Sequence, residues 1–83
     1  MTDDRDDDLI TPEQGIAARI LVNQSALEIA RKLAMTPETI RRAIGKQHRP
    51  PVMPPRLAKR LRSYFESQGV EFLPDGQVRM KAE

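Results

Sequence analysis

Apolar residues recur along this chain at helical spacing in four stretches and then alternate in a fifth. In the first, Thr11-Pro12-Glu13-Gln14 is a capping box with proline at the first helical position, and Ile16, Ala17, Ile20 and Leu21 follow at intervals suited to one helix face. This predicts a helix from Pro12, stapled at its start by Leu9 or Ile10, with Gln14 and Arg19 toward solvent and Asn23-Gln24 as its end. In the second stretch Ser25 and Glu28 form another capping box, so a helix begins at Ala26 and places Ala26, Ile29, Ala30 and Leu33 on one side. A break at Ala34-Met35-Thr36 precedes the third. There Thr36 is expected to cap, Pro37 opens the helix, Glu38 suits the positive end of its dipole, and Ile40, Ala43 and Ile44 form the buried stripe.

Gly45 is expected to close that helix with a left-handed cap, and the following GKQHRPPVMPP, holding four of the seven prolines, reads as a stiff loop. The longest helix is predicted from Pro55 to Gln68. Leu57, Leu61, Tyr64, Phe65 and Gln68 lie on one side of it, with Lys59, Arg60, Arg62 and Glu66 elsewhere and Gly69 at its end. Residues 70–73 and 77–80 flank Pro74-Asp75-Gly76, a β-turn sequence, so a hairpin follows. A lone hairpin is marginal in water. It must lie on the fourth helix or pair with another chain, and a role in dimerisation is the reading taken. The expected organisation is an acidic, disordered tail over residues 1–8, a helical domain over 9–69 and a hairpin extension over 70–83.

The stretch SALEIARKLAMTPETIRRAI, from Ser25 to Ile44, reads as a helix-turn-helix, two short amphipathic helices crossing at roughly 90–120° through a tight turn. Ala30 is the residue whose small size lets them approach. Together with ITPEQ, AARILV and the GVEFLPDGQVRM segment, this order resembles the lambda-repressor-like, xenobiotic-response-element (XRE) type of small bacterial and phage DNA-binding regulators, over about Ile10 to Met80. The resemblance implies a mainly α, four-helix lambda-repressor-like domain with a short C-terminal β-hairpin. It makes Ala30 the small contact position, Ala34 the turn position, Met35 the buried turn residue and Ile40 the core residue of the recognition helix. The family commonly has glycine at the turn, where Ala34 takes on a steric cost if φ is positive. Ala26 stands where glutamine is common and Pro37 where a base-reading side chain is common, which shifts readout to their neighbours.

Charge sharpens the expectation. The net charge of +2 conceals five aspartates and Arg5 within residues 1–8, against eleven Lys or Arg and only Glu28 and Glu38 between Arg19 and Arg62. A concentrated basic segment is the electrostatic footprint of nucleic-acid binding, because each neutralised phosphate releases counterions. Arginine outnumbers lysine ten to four, and its planar fork suits phosphate and guanine edges. With Ile40, Ala43 and Ile44 inward, Glu38, Arg41 and Arg42 face the groove as base-reading residues. Ser25, Thr36 and Thr39 near helix starts, with Lys46, His48 and Arg49 beyond the helix, are the expected phosphate contacts. The acidic residues 1–8 are read as a solubilising tail, with competition for the basic face as the alternative.

Other chemistry has little to stand on. Cysteine is absent and His48 is the only histidine, so neither a thiolate site nor the usual zinc ligand set is present. There is no nucleophile elbow, no phosphate-cradling glycine loop and no paired carboxylates outside the first eight residues, so the chain is not expected to be an enzyme or to carry a metal or cofactor. No apolar run approaches the roughly 18 residues of a membrane span, and the acidic start is unlike a signal peptide, which predicts a soluble, cytoplasmic protein without membrane contact. The function expected is sequence-specific double-stranded DNA binding by a transcriptional regulator, a repressor acting as a homodimer on a pseudo-palindromic site. The alternative is an antitoxin-like protein-interaction module that also binds its own operator. RNA binding ranks last, because Phe72 is the only aromatic in a predicted strand and RNA platforms stack bases on aromatics.

Overall fold

The computed structural model describes residues 9–45 and 50–81. The expected acidic tail lies outside them, as do Lys46, His48 and Arg49. Both capping boxes form. Thr11 Oγ1 accepts from Gln14 N at 3.1 Å while Gln14 Oε1 accepts from Thr11 N at 2.7 Å, which starts α1, Pro12–Leu21. Ser25 and Glu28 make the same reciprocal pair at 3.1 and 2.7 Å and start α2, Ala26–Leu33. Then come α3, Pro37–Ile44, and α4, Pro55–Ser67. Strand β1, Val70–Phe72, pairs antiparallel with β2, Val78–Met80, setting Val70 opposite Met80 and Phe72 opposite Val78. The chain is thus mainly helical, with a short C-terminal hairpin, and among the described residues no helix is long and apolar enough to cross a membrane.

Phe65, Ile29, Ile40, Ile44 and Leu61 fill the centre with no appreciable exposure, and Ala18, Ala30 and Ala43 are buried where elements come close. On α4 the expected Leu57, Leu61, Tyr64 and Phe65 are inside, joined by Ala58, whereas Gln68 is exposed. α1 departs from expectation. Ile20 is 65% and Leu21 40% exposed, while the buried positions are Gly15 and Ala18, with Ile16 and Ala17 half-buried. The reason is close approach: a Cβ on Gly15 would stand 2.6 Å from Ile44 Cγ2 and 3.3 Å from Met53 Cε. α1 meets α3 through its smallest residues, so the spacing of its large apolar residues names the wrong face. Arg19, expected in solvent, consequently turns inward and is half-buried.

Between α2 and α3, Ala34 adopts φ 56° and ψ 43°, the left-handed conformation the resemblance implied for it. Its N–H donates to Arg31 O at 3.3 Å and that of Met35 to Ala30 O at 2.9 Å, closing the end of α2. Alanine in this conformation is strained by about 1–2 kcal/mol, partly offset by the smaller unfolded-state entropy it has relative to glycine. Ala34→Gly is therefore expected to be neutral or to stabilise by up to about 1 kcal/mol in urea denaturation; a loss above that would contradict the turn geometry. Gly45, by contrast, does not form the left-handed cap expected of it. It is extended, φ −93° and ψ 178°, and the reason for glycine is space, since a Cβ there would lie 2.8 Å from Arg41 O.

The hairpin lies on α1 and α4 of its own chain. Val70 is 2% exposed, Phe72 and Val78 pack against the core, and the Phe72 ring sits 6.4 Å from that of Phe65. The Arg62 guanidinium covers the same Phe72 ring at 5.8 Å, and Glu71 and Arg79 pair at 3.0 Å on the opposite face of the two strands. Of the hairpin's large apolar residues only Met80 remains substantially exposed.

Candidate nucleic-acid interface

α3 has eight residues, and the burial of Ile40, Ala43 and Ile44 at spacings of three and one leaves the opposite side of its cylinder outward. Glu38, Arg41 and Arg42 are there, all exposed. They form one group. Arg41 NH1 donates to Glu38 Oε1 at 3.1 Å and Arg42 Nε to Glu38 Oε2 at 3.2 Å, the one-turn spacings at which helical side chains meet. The side chains of Arg41, Arg42 and Glu38 are 54%, 56% and 60% exposed, so these ion pairs contribute only about 0–1 kcal/mol each and can be exchanged for a ligand at little cost. The carboxylate also restricts the swing of both guanidinium groups, leaving two planar forks side by side at the middle of an exposed helix face.

The expected phosphate contacts separate into three cases. Thr36 and Thr39 come together at the start of α3, their hydroxyls 2.7 Å apart. This corrects the expectation that Thr36 caps the helix: no side-chain cap bond forms, because the Thr36 hydroxyl is paired to that of Thr39. Ser25 is at the far end of α2 from this turn, and its hydroxyl already accepts from Glu28 N as the cap. Lys46, His48 and Arg49 fall outside the described residues.

Sequence reasoning missed two arginines that act on helix ends. Arg60 NH2 donates to Leu33 O at 3.0 Å, placing a cation on the last carbonyls of α2 and setting the basic first half of α4 beside the end of α2, where Arg31 and Lys32 are exposed. Arg19 Nε donates to Ile44 O at 3.1 Å and its NH1 to Gln24 O at 3.4 Å. Arg19, in the last turn of α1, and Arg60, midway along α4, carry no local signal that would name a carbonyl 25 or 27 residues away. Among the described residues no three His, Cys, Asp or Glu side chains are grouped to hold a metal ion, and the hollow between Leu33, Lys59, Arg60, Ser63 and Tyr64 is an open one. Comparison of the chain with protein-family models, with curated proteins and with solved structures gave no match.

Proposed function

We propose that α2, the turn at Ala34 and α3 are a helix-turn-helix of the lambda-repressor-like type, and that the chain is a sequence-specific regulator which lays α3 in the major groove of double-stranded DNA. The observation that carries this reading is the division of α3 itself: Ile40, Ala43 and Ile44 wholly buried, Glu38, Arg41 and Arg42 exposed. An α-helix with its side chains is about 10–12 Å across, and a major groove about 12 Å wide admits it. Each arginine then bonds guanine O6 and N7 through its fork, and Glu38 either accepts from cytosine N4 or holds the arginines at angle. Thr36 and Thr39 at the start of α3, with the basic residues around it, contact phosphate and fix position. RNA stacking is disfavoured because Phe72 is committed to Phe65 and covered by Arg62.

The chain acts in this reading as a cytoplasmic homodimer and repressor, its two α3 helices entering successive major grooves about 34–36 Å apart. Exposed apolar side chains at the ends of α1 and β2, Ile20, Leu21 and Met80, favour a protein contact there. An antitoxin-like module would use the same surface for a different partner. The test is selection of bound sites from random duplex DNA with purified protein. A pseudo-palindrome with half-sites about 10 base pairs apart is expected; recovery of no motif would reject sequence-specific binding.

A further inference from the structure

A helix leaves its last four carbonyls without intrahelical donors, and a left-handed residue beyond the helix usually turns backbone N–H groups onto them. Among the described residues α3 shows no such device: Gly45 is extended and donates its own N–H to Arg41 O at 2.9 Å. Two further donors among the described residues come from distant parts of the chain. Val52 N donates to Arg42 O at 3.0 Å, and Arg19 Nε donates to Ile44 O at 3.1 Å. The same guanidinium reaches Gln24 O, and Gln24 is itself anchored: its side chain accepts from the Tyr64 hydroxyl and donates to Gln68 Oε1 at 3.4 Å. One half-buried side chain therefore ties the end of α3 to α1 and, through Gln24, to α4.

We propose that Arg19 is a positioning residue for α3, fixing where its last turn, and with it Arg41 and Arg42, stands on the domain. Those two residues are three and two positions before Ile44, so they move with the turn that Arg19 holds. The guanidinium fits the task because its planar fork bonds two carbonyls at once and its permanent charge is favourable at the negative end of the α3 dipole. A lysine ammonium keeps the charge but loses the fork. The consequence for base readout rests on the DNA reading above; the clamp does not.

The test uses the full chain with Arg19→Gln and Arg19→Lys. By amide hydrogen exchange, Arg19→Gln is expected to speed exchange at Ala43, Ile44 and Gly45 by about tenfold, with Leu61 and Phe65 in α4 almost unchanged and Arg19→Lys between the two. On duplex DNA, Arg19→Gln should lower the preference for the selected site by about tenfold while affinity for random duplex changes by less than about twofold, and Arg19→Lys should restore part of that preference. Unchanged exchange at Gly45, or equal acceleration in α4, would overturn the clamp. A loosened α3 with undiminished preference would overturn its role in readout. Should the wild-type chain prefer no duplex at all, the DNA reading fails and the exchange result alone decides the clamp.

Discussion

Phe65→Ala is expected to destabilise the protein by about 3–5 kcal/mol, a large share of the roughly 4–12 kcal/mol expected of a chain this size. Phe65 has no exposed surface, meets the Tyr64 ring edge-on at 5.6 Å and lies against Phe72, so its removal opens a cavity between α4 and the hairpin. The neighbouring Val70 and Leu61 are themselves buried in the same core, which limits how far the site can collapse. Each kilocalorie lowers the melting temperature by roughly 4–8 °C in a domain of this length. Ile20→Ala is the control. Ile20 looks equally apolar in the sequence, yet it is exposed, and its replacement should stay within about 0.5 kcal/mol. Comparable losses for the two would mean that α1 is turned differently from its position here.

Gly15→Val is the second large effect. The Ile44 Cγ2 that a Cβ would meet at 2.6 Å is a branch methyl on a wholly buried side chain, and a β-branched side chain in a close-packed core has little freedom to yield. α1 must then lift from α3, at a cost of about 1–3 kcal/mol. Gly15→Ala should cost less, because alanine recovers about 1 kcal/mol of helix propensity. The contact can be isolated by a double-mutant cycle with Ile44→Ala. The pair is expected to be less destabilised than the sum of the single changes by about 0.5–3 kcal/mol, and simple additivity would place the crossing elsewhere.

The element boundaries were legible because their signals are local. The two capping boxes each need only residues three apart, and both formed as written. The pairing of Glu38 with Arg41 and Arg42 follows equally from helical spacing. The inward face of α3 was legible because two large apolar residues, Ile40 and Ile44, mark it one turn apart. The inward face of α1 was not, because there the packing is done by Gly15 and Ala18, which hydropathy does not weight, and the bulky Ile20 misleads. The hairpin was legible from its turn residues, but its burial against Phe65 is a tertiary fact that alternation over a few residues does not reveal. The ends of the helices were harder still. Thr36 is a good cap by type, yet Thr39 takes its hydroxyl, and the end of α3 is closed by Arg19 and Val52, donors 25 residues before and 10 residues after the carbonyls they reach.

The claim of sequence readout by α3 is tested most directly by measuring the affinities of Arg41→Ala and Arg42→Ala for the selected duplex and for random duplex of equal length at one salt concentration. Each variant is expected to lose about 1–3 kcal/mol on the selected site and to relax preference at one base pair, with a smaller loss on random DNA. Equal losses on the two duplexes would contradict base reading by this helix and leave its arginines as phosphate contacts alone.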